Sequence, residues 1–220
     1  MNKRHYEHTL PNIRGSLSNT YKQMYIDYLS NSRTNGMNTG REYLTMEELA
    51  AIIKREFDSS RLEKVRDLYL FACYTGLVYQ DIKNLQPYNI ITAKDGTRWL
   101  SIRRQMHSSS WQIPLLENAC QIIDKYKDNG TENLLPVPSI QKVNAYLKEI
   151  ASQCGLDRNL SFQSARSTFA VTIGIANKVS PVTISKLFGF RDYTTRSSRV
   201  SDKQISKEML ELSKKLATNK

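Results

Sequence analysis

Histidine and cysteine are both scarce in this chain, three of each in 220 residues, and their scarcity removes several chemistries at the outset. Cys73, Cys120 and Cys154 are odd in number, far apart and set among apolar residues. They form neither a disulfide frame nor a metal cluster and are expected as reduced core thiols. His5 and His8 stand one helical turn apart, but no further ligand type completes a site near them. That pair is expected in a solvated tail, and no metal or other cofactor is expected. No apolar run reaches the length of a membrane span, and the start Met-Asn-Lys-Arg-His has no apolar stretch of the secretory kind. The expected setting is cytoplasmic, with no membrane partner.

Acidic residues are also in deficit: 21 Asp and Glu stand against 32 Lys and Arg, for a net charge of +11. Such a field favours polyanions, nucleic acid first and an acidic membrane surface second. Charge alone leaves a second reading open, a basic surface that serves solubility only. With 40% hydrophobic residues, the chain is long enough for one sizeable domain and an extension.

Two parts are expected, residues 1–40 and residues 41–220. In the first, Tyr21, Met24, Tyr25, Tyr28 and Leu29 recur at helical spacing before the polar run Asn31-Ser32-Arg33-Thr34-Asn35-Gly36. This is an amphipathic helix and a linker. Its aromatic stripe is a face for the main domain, a face for another subunit, or the remainder of a larger DNA-binding arm.

In the second part, Thr45-Met46-Glu47-Glu48 is a capping box opening a helix that runs to about Phe57. A longer apolar helix follows from Leu62 and stops at Gly76, and a short one over Asp81 to Leu85 is closed by Pro87. Trp99 to Arg104 and Ser110 to Leu115 alternate as two strands of a hairpin. Further helices are expected over Glu117 to Lys127, Ser139 to Cys154, Arg166 to Asn177, Pro181 to Leu187 and Lys203 to Leu216. The fold class is therefore mainly α with a small antiparallel β-hairpin or sheet, and there is no internal repeat.

The stretch Leu-Ser-Phe-Gln-Ser-Ala-Arg-Ser-Thr-Phe-Ala from Leu160 to Ala170 carries the most specific signal. It resembles the His-x-x-Arg-His-Thr-Phe-Ala box of the tyrosine recombinases, or phage integrases, with Arg166, Thr168, Phe169 and Ala170 kept and Gln163 and Ser167 in place of the histidines. Other landmarks follow in the family's order. They are Leu44 to Leu49, the Phe-Ala-Cys-Tyr-Thr-Gly-Leu segment at Phe71 to Leu77, Asp81 with Leu85, Arg103-Arg104-Gln105, Ile113-Pro114-Leu115-Leu116 and Asn144 to Ile150. Together they span about Arg41 to Met209 and are most similar to integrases of Bacteroidetes mobile elements. The resemblance implies a catalytic-domain fold and double-stranded DNA as partner. It also implies assembly on DNA, in which Ile205 to Leu216 would act on another copy.

In that family a tyrosine hydroxyl attacks the phosphodiester. Two arginines hold the phosphate where negative charge develops, a turn lysine protonates the leaving oxygen, and histidines assist. Most of these groups are replaced here. Val78 stands at the first arginine and supplies neither donor nor charge. Met106 stands at the turn lysine, and a thioether donates no proton. Neighbouring His107 is either a substitute acid or a solvated loop residue. Lys186-Leu187-Phe188-Gly189-Phe190 resembles the Leu-Gly-His box with Phe190 for histidine. The nucleophile's register then falls near Arg199, or on Ser197 or Ser198 if a small deletion is allowed.

Tyr193 is the single tyrosine beyond Arg166, displaced from that register by roughly 9 Å along a helix. It reads as a packing aromatic, or as the nucleophile of a rearranged site. Arg166 is either a helix-start arginine tied to a carboxylate or carbonyl, or a phosphate ligand at the centre of Arg103, Arg104, Gln163, Ser167, Lys186, Arg191, Arg196 and Arg199. The resemblance thus implies a DNA-binding protein that holds DNA without cutting it. An active recombinase built on Tyr193, Arg166 and His107, and a protein-interaction module on the same scaffold, are the competing expectations.

Overall fold

The computed structural model describes residues 43–103, 110–127, 132–188 and 201–218. The expected helix over residues 17–31 and its linker lie outside these, as do Arg104, Met106, His107, Phe190, Arg191, Tyr193, Arg196 and Arg199.

The domain opens on the capping box. Thr45 Oγ1 accepts from the Glu48 amide at 3.2 Å and Glu48 Oε2 accepts from the Thr45 amide at 2.7 Å, starting α1 (Met46–Lys54). This helix stops three residues short of Phe57, where Arg55 turns to extended backbone. Helix α2 (Ser60–Thr75) is buried on nearly all sides from Leu62 onward, which makes it the core helix rather than a surface one. It ends at Gly76, whose φ of 69° is the left-handed conformation glycine adopts without steric cost. The short α3 (Tyr79–Lys83) follows after Val78.

The sheet has three strands, not the two of the expected hairpin: β1 (Ile90–Thr92), β2 (Arg98–Arg103) and β3 (Ser110–Pro114), antiparallel in that order. The register aligns Ile90, Leu100 and Ile113 across the sheet, and Leu100 and Ile113 are fully buried against the helices. Strand β1 is three residues long, with Ile91 and Thr92 exposed, so it lacks the alternation that marks a half-buried strand.

Helices α4 (Glu117–Lys125), α5 (Ile140–Gln153) and α6 (Ser164–Thr168) pack on α2. Between α2 and α4, the buried carboxylate of Asp67 accepts from Lys125 Nζ at 2.7 Å, Tyr126 Oη at 2.9 Å and Arg66 Nε at 2.9 Å. Charged donors compensate the desolvation of this buried anion. Helix α6 continues as a π-helical turn over Phe169–Gly174 and a 3-10 turn over Ile175–Asn177. Asn177 Nδ2 donates to the carbonyls of Thr172 and Ile173 at 3.3 and 3.0 Å, supplying partners where the α-helical ladder is broken. The expected single helix over Arg166 to Asn177 is thus three helical forms in series, beginning at Ser164.

Helix α7 (Pro181–Leu187) starts at Ser180, whose Oγ accepts from the Thr183 amide at 3.2 Å, with Pro181 in the first turn. Helix α8 (Asp202–Thr218) buries Ile205, Met209, Leu212 and Leu216 on its own chain. Glu208 Oε2 accepts from the Ser180 amide at 2.9 Å, and Lys215 Nζ donates to the Asn177 carbonyl at 2.8 Å. The segment Ile205 to Leu216, read from the sequence as one that acts on another copy, is docked in cis here.

Candidate nucleic-acid interface

Arg166 sits in the middle of α6, and the residues around it fix that helix with little freedom. Ser164 Oγ donates to the Ser161 carbonyl at 2.7 Å, so its contact with Tyr69 Oη, also 2.7 Å, has the phenol as donor. Burial raises the Tyr69 phenol well above its ordinary value, keeping that donor protonated. Asn144 Oδ1 of α5 accepts from the Phe162 amide at 2.9 Å, and the Phe162 ring meets Tyr69 and Tyr79 edge-on. Thr168 Oγ1 donates to the Ser164 carbonyl at 2.8 Å and accepts from the Leu44 amide at 3.0 Å. One turn on, Thr172 Oγ1 donates to the Leu44 carbonyl. The chain entering the domain is thereby fastened to the helix that carries Arg166 by both polar groups of one buried peptide residue.

The Arg166 guanidinium reaches two other helix ends. Its Nη1 donates to the Gly76 carbonyl at 2.6 Å, at the close of α2, and its Nη2 donates to the Phe188 carbonyl at 3.2 Å, at the close of α7. Its Cζ lies 3.9 Å from the centroid of the Phe188 ring, within the range of a cation–π contact. Among the readings open from sequence, these contacts are those of a helix-start arginine tied to carbonyls. Val78, which the sequence resemblance sets at the first arginine position, follows Gly76 and Leu77 and is 37% exposed at the start of α3.

The other expected ligands divide into three groups. Gln163, exposed at the N-cap of α6, and Ser167, half-buried on it, flank Arg166, and neither side chain can shuttle a proton near neutral pH. Lys186 is on α7 two residues before Phe188, and its Nζ lies 3.0 Å from Asp202 Oδ1 at the start of α8. Both partners are well exposed, at 45% and 75%, so this pair is weak and easily exchanged for another anion. Arg103 ends β2, while Arg104, His107, Arg191, Tyr193, Arg196 and Arg199 are outside the described residues.

Sequence reasoning missed Phe188 and Asp202 as partners of Arg166 and Lys186, and saw Gly76 only as a helix stop. A signal existed for Phe188, an aromatic where the resembling box has leucine. Among the described residues no His, Cys, Asp and Glu group is arranged to hold a metal, and no helix is long and apolar enough to cross a membrane. Cys73 and Cys120 are buried, Cys154 is half-buried, and none is in a disulfide.

No protein-family model and no curated protein matches the sequence. Solved structures do match in shape. The site-specific recombinase XerH in its pre-cleavage complex with difH substrate aligns at TM-score 0.56 and 14% identity, over 75% of this chain and 52% of that one. The integrase of mycobacterium phage Brujita aligns at TM-score 0.57 and 15% identity, over 91% of this chain and 74% of that one. The lambda integrase catalytic core aligns at TM-score 0.51 and 20% identity, over 68% of this chain and 95% of that one. This chain thus spans about half of the XerH protein but nearly all of the isolated lambda core. At these identities the likeness is one of fold, and the fold is the mainly helical, three-stranded architecture of the tyrosine-recombinase catalytic domain.

Proposed function

We propose that this protein binds double-stranded DNA and does not cleave it, serving as an accessory or regulatory factor in the recombination of a mobile element. Arg166 is its central phosphate ligand. The carrying observation is Arg166 on a firmly anchored helix in a fold like that of the recombinase catalytic domain, with Val78, an exposed apolar side chain, where the sequence resemblance sets the first arginine. One half of the phosphate clamp is present and the other is absent. The +11 charge supports a polyanionic partner, and Gln163 at the start of α6, Ser167 on α6 and Lys186 on α7 add donors.

A phosphate at Arg166 makes ion-to-ion hydrogen bonds, stronger than those the guanidinium makes to neutral carbonyls. Lys186 exchanges the Asp202 carboxylate for a phosphate. Without a second arginine, charge developing on a five-coordinate phosphorus is poorly stabilised, so binding is retained while strand transfer is lost.

Two measurements test this reading. Fluorescence anisotropy with duplex DNA across a salt series is expected to show affinity falling with a slope of about −0.9 per phosphate neutralised. Absence of binding in dilute salt would overturn it. A suicide substrate carrying the element's ends is expected to give no covalent adduct, whereas an adduct lost in Tyr193→Phe would establish an active, rearranged enzyme instead.

A further inference from the structure

The guanidinium of Arg166 is a flat cation whose donors lie in one plane, so what fixes that plane fixes the direction in which a phosphate can be held. Three contacts define it: the Gly76 carbonyl, the Phe188 carbonyl and the face of the Phe188 ring, 3.9 Å from Cζ. The ring itself is clamped. Phe188 is 1% exposed and lies against Phe169, with centroids 5.7 Å apart at 57°. Gly76 lies against both rings, where an added Cβ would collide with Phe188 Cε1 and sit 2.7 Å from Phe169 Cδ1. The absence of a side chain at Gly76 is what lets the ring lie beneath the guanidinium. Phe188 therefore presents a rigid surface rather than a rotating side chain.

We propose that Phe188 is a positioning residue, an aromatic platform that sets the guanidinium plane of Arg166 for phosphate. A leucine, the residue of the resembling Leu-Gly-His box, would fill much of the volume but carry no ring quadrupole to hold a cation. The platform compensates in orientation for what the site lacks in charge: with valine at position 78, one arginine holds the phosphate, and its direction must be set by the protein alone. The inference rests on Arg166 being a phosphate ligand, as proposed above.

The test is the salt dependence of duplex binding by the full chain in wild type, Arg166→Ala, Phe188→Leu, Phe188→Tyr and the double variant Arg166→Ala with Phe188→Leu. The slope of log affinity against log salt is insensitive to a constant fraction of inactive protein, so it reads contact number even if a variant is less stable. Removing Arg166 is expected to reduce the slope by about 0.9, which shrinks the affinity gap to wild type about 3.5-fold between 50 and 200 mM salt. Phe188→Leu is expected to reproduce that loss, Phe188→Tyr to keep the wild-type slope, and the double variant to match Arg166→Ala, since the residues act as a unit. If Arg166→Ala lowers the slope and Phe188→Leu does not, Phe188 is packing only and the inference falls while the DNA-binding reading stands. If Arg166→Ala leaves the slope unchanged, the phosphate role of Arg166 fails and the platform fails with it.

Discussion

Arg166 Nη1 donates to the Gly76 carbonyl at 2.6 Å, joining the signature helix α6 to the end of the core helix α2 across 90 residues of sequence. The bond depends on a glycine whose φ of 69° turns its carbonyl toward the arginine and whose bare Cα leaves room for Phe188. A scaffold contact and a candidate ligand site are thus built from the same three residues.

Gly76→Ala is expected to lower stability by roughly 2–4 kcal/mol, combining the left-handed backbone cost with forced displacement of two buried rings. Urea unfolding measures it. Adding Phe188→Ala should remove part of the steric share and leave the backbone share, so the two costs should be less than additive. Strict additivity would show that the ring is not the obstacle.

The hydroxyls of Thr168 and Thr172 satisfy the amide and the carbonyl of Leu44. Thr168→Val keeps the side-chain shape but leaves a buried N–H without its acceptor, and is expected to cost about 1–3 kcal/mol. Thr172→Val should cost a similar amount through the carbonyl, and Thr168→Ser, which keeps the hydroxyl, clearly less. Equal losses for valine and serine at position 168 would place the effect in packing rather than hydrogen bonding.

Val78 is exposed beside the Gly76 turn, so an arginine is accommodated there without disturbing the core. Val78→Arg is expected to strengthen duplex binding at low salt and to steepen its salt slope by about 0.9, one further phosphate contact. A variant that binds as wild type at every salt concentration would mean that position 78 does not face the DNA.

Much of this architecture was legible in sequence because its signals are local. The capping box at Thr45, the apolar run of α2, the stop at Gly76 and the helix start at Pro181 each act within a few residues, and each places its element, although α1 ends at Lys54 rather than near Phe57. The strand β1 was missed because Ile90, Ile91 and Thr92 do not alternate in burial. The π-helical turn was missed because its support comes from Asn177 and from the distant Leu44, not from its own composition. At the site, Arg166 was identified through its motif, but its acceptors are separated from it by 90 and 22 residues, distances over which no spacing rule operates.

Several buried groups bias the fold against alkaline conditions. Burial raises the Cys73 thiol and the Tyr69, Tyr74 and Tyr126 phenols, each by loss of solvation for the charged form. For Lys125, burial acts downward, but hydrogen bonds to Asp67 and Glu63 outweigh it and the ammonium is raised. In every case the folded chain holds a proton that the unfolded chain releases earlier. The stability they contribute is complete below the unfolded values, about 8.5 for cysteine and about 10 for tyrosine and lysine, and it is lost as pH climbs beyond them. Urea unfolding from pH 7 to 11 is expected to show stability declining above about pH 8.5 and more steeply above about 10. Each buried phenol contributes about 1.4 kcal/mol per pH unit to the slope, and the exposed Lys125 less because water screens it, so Tyr74→Phe should make the limb above pH 10 shallower by about that amount. A stability curve that stays flat to pH 10.5 would show that these groups titrate alike in the folded and unfolded chains.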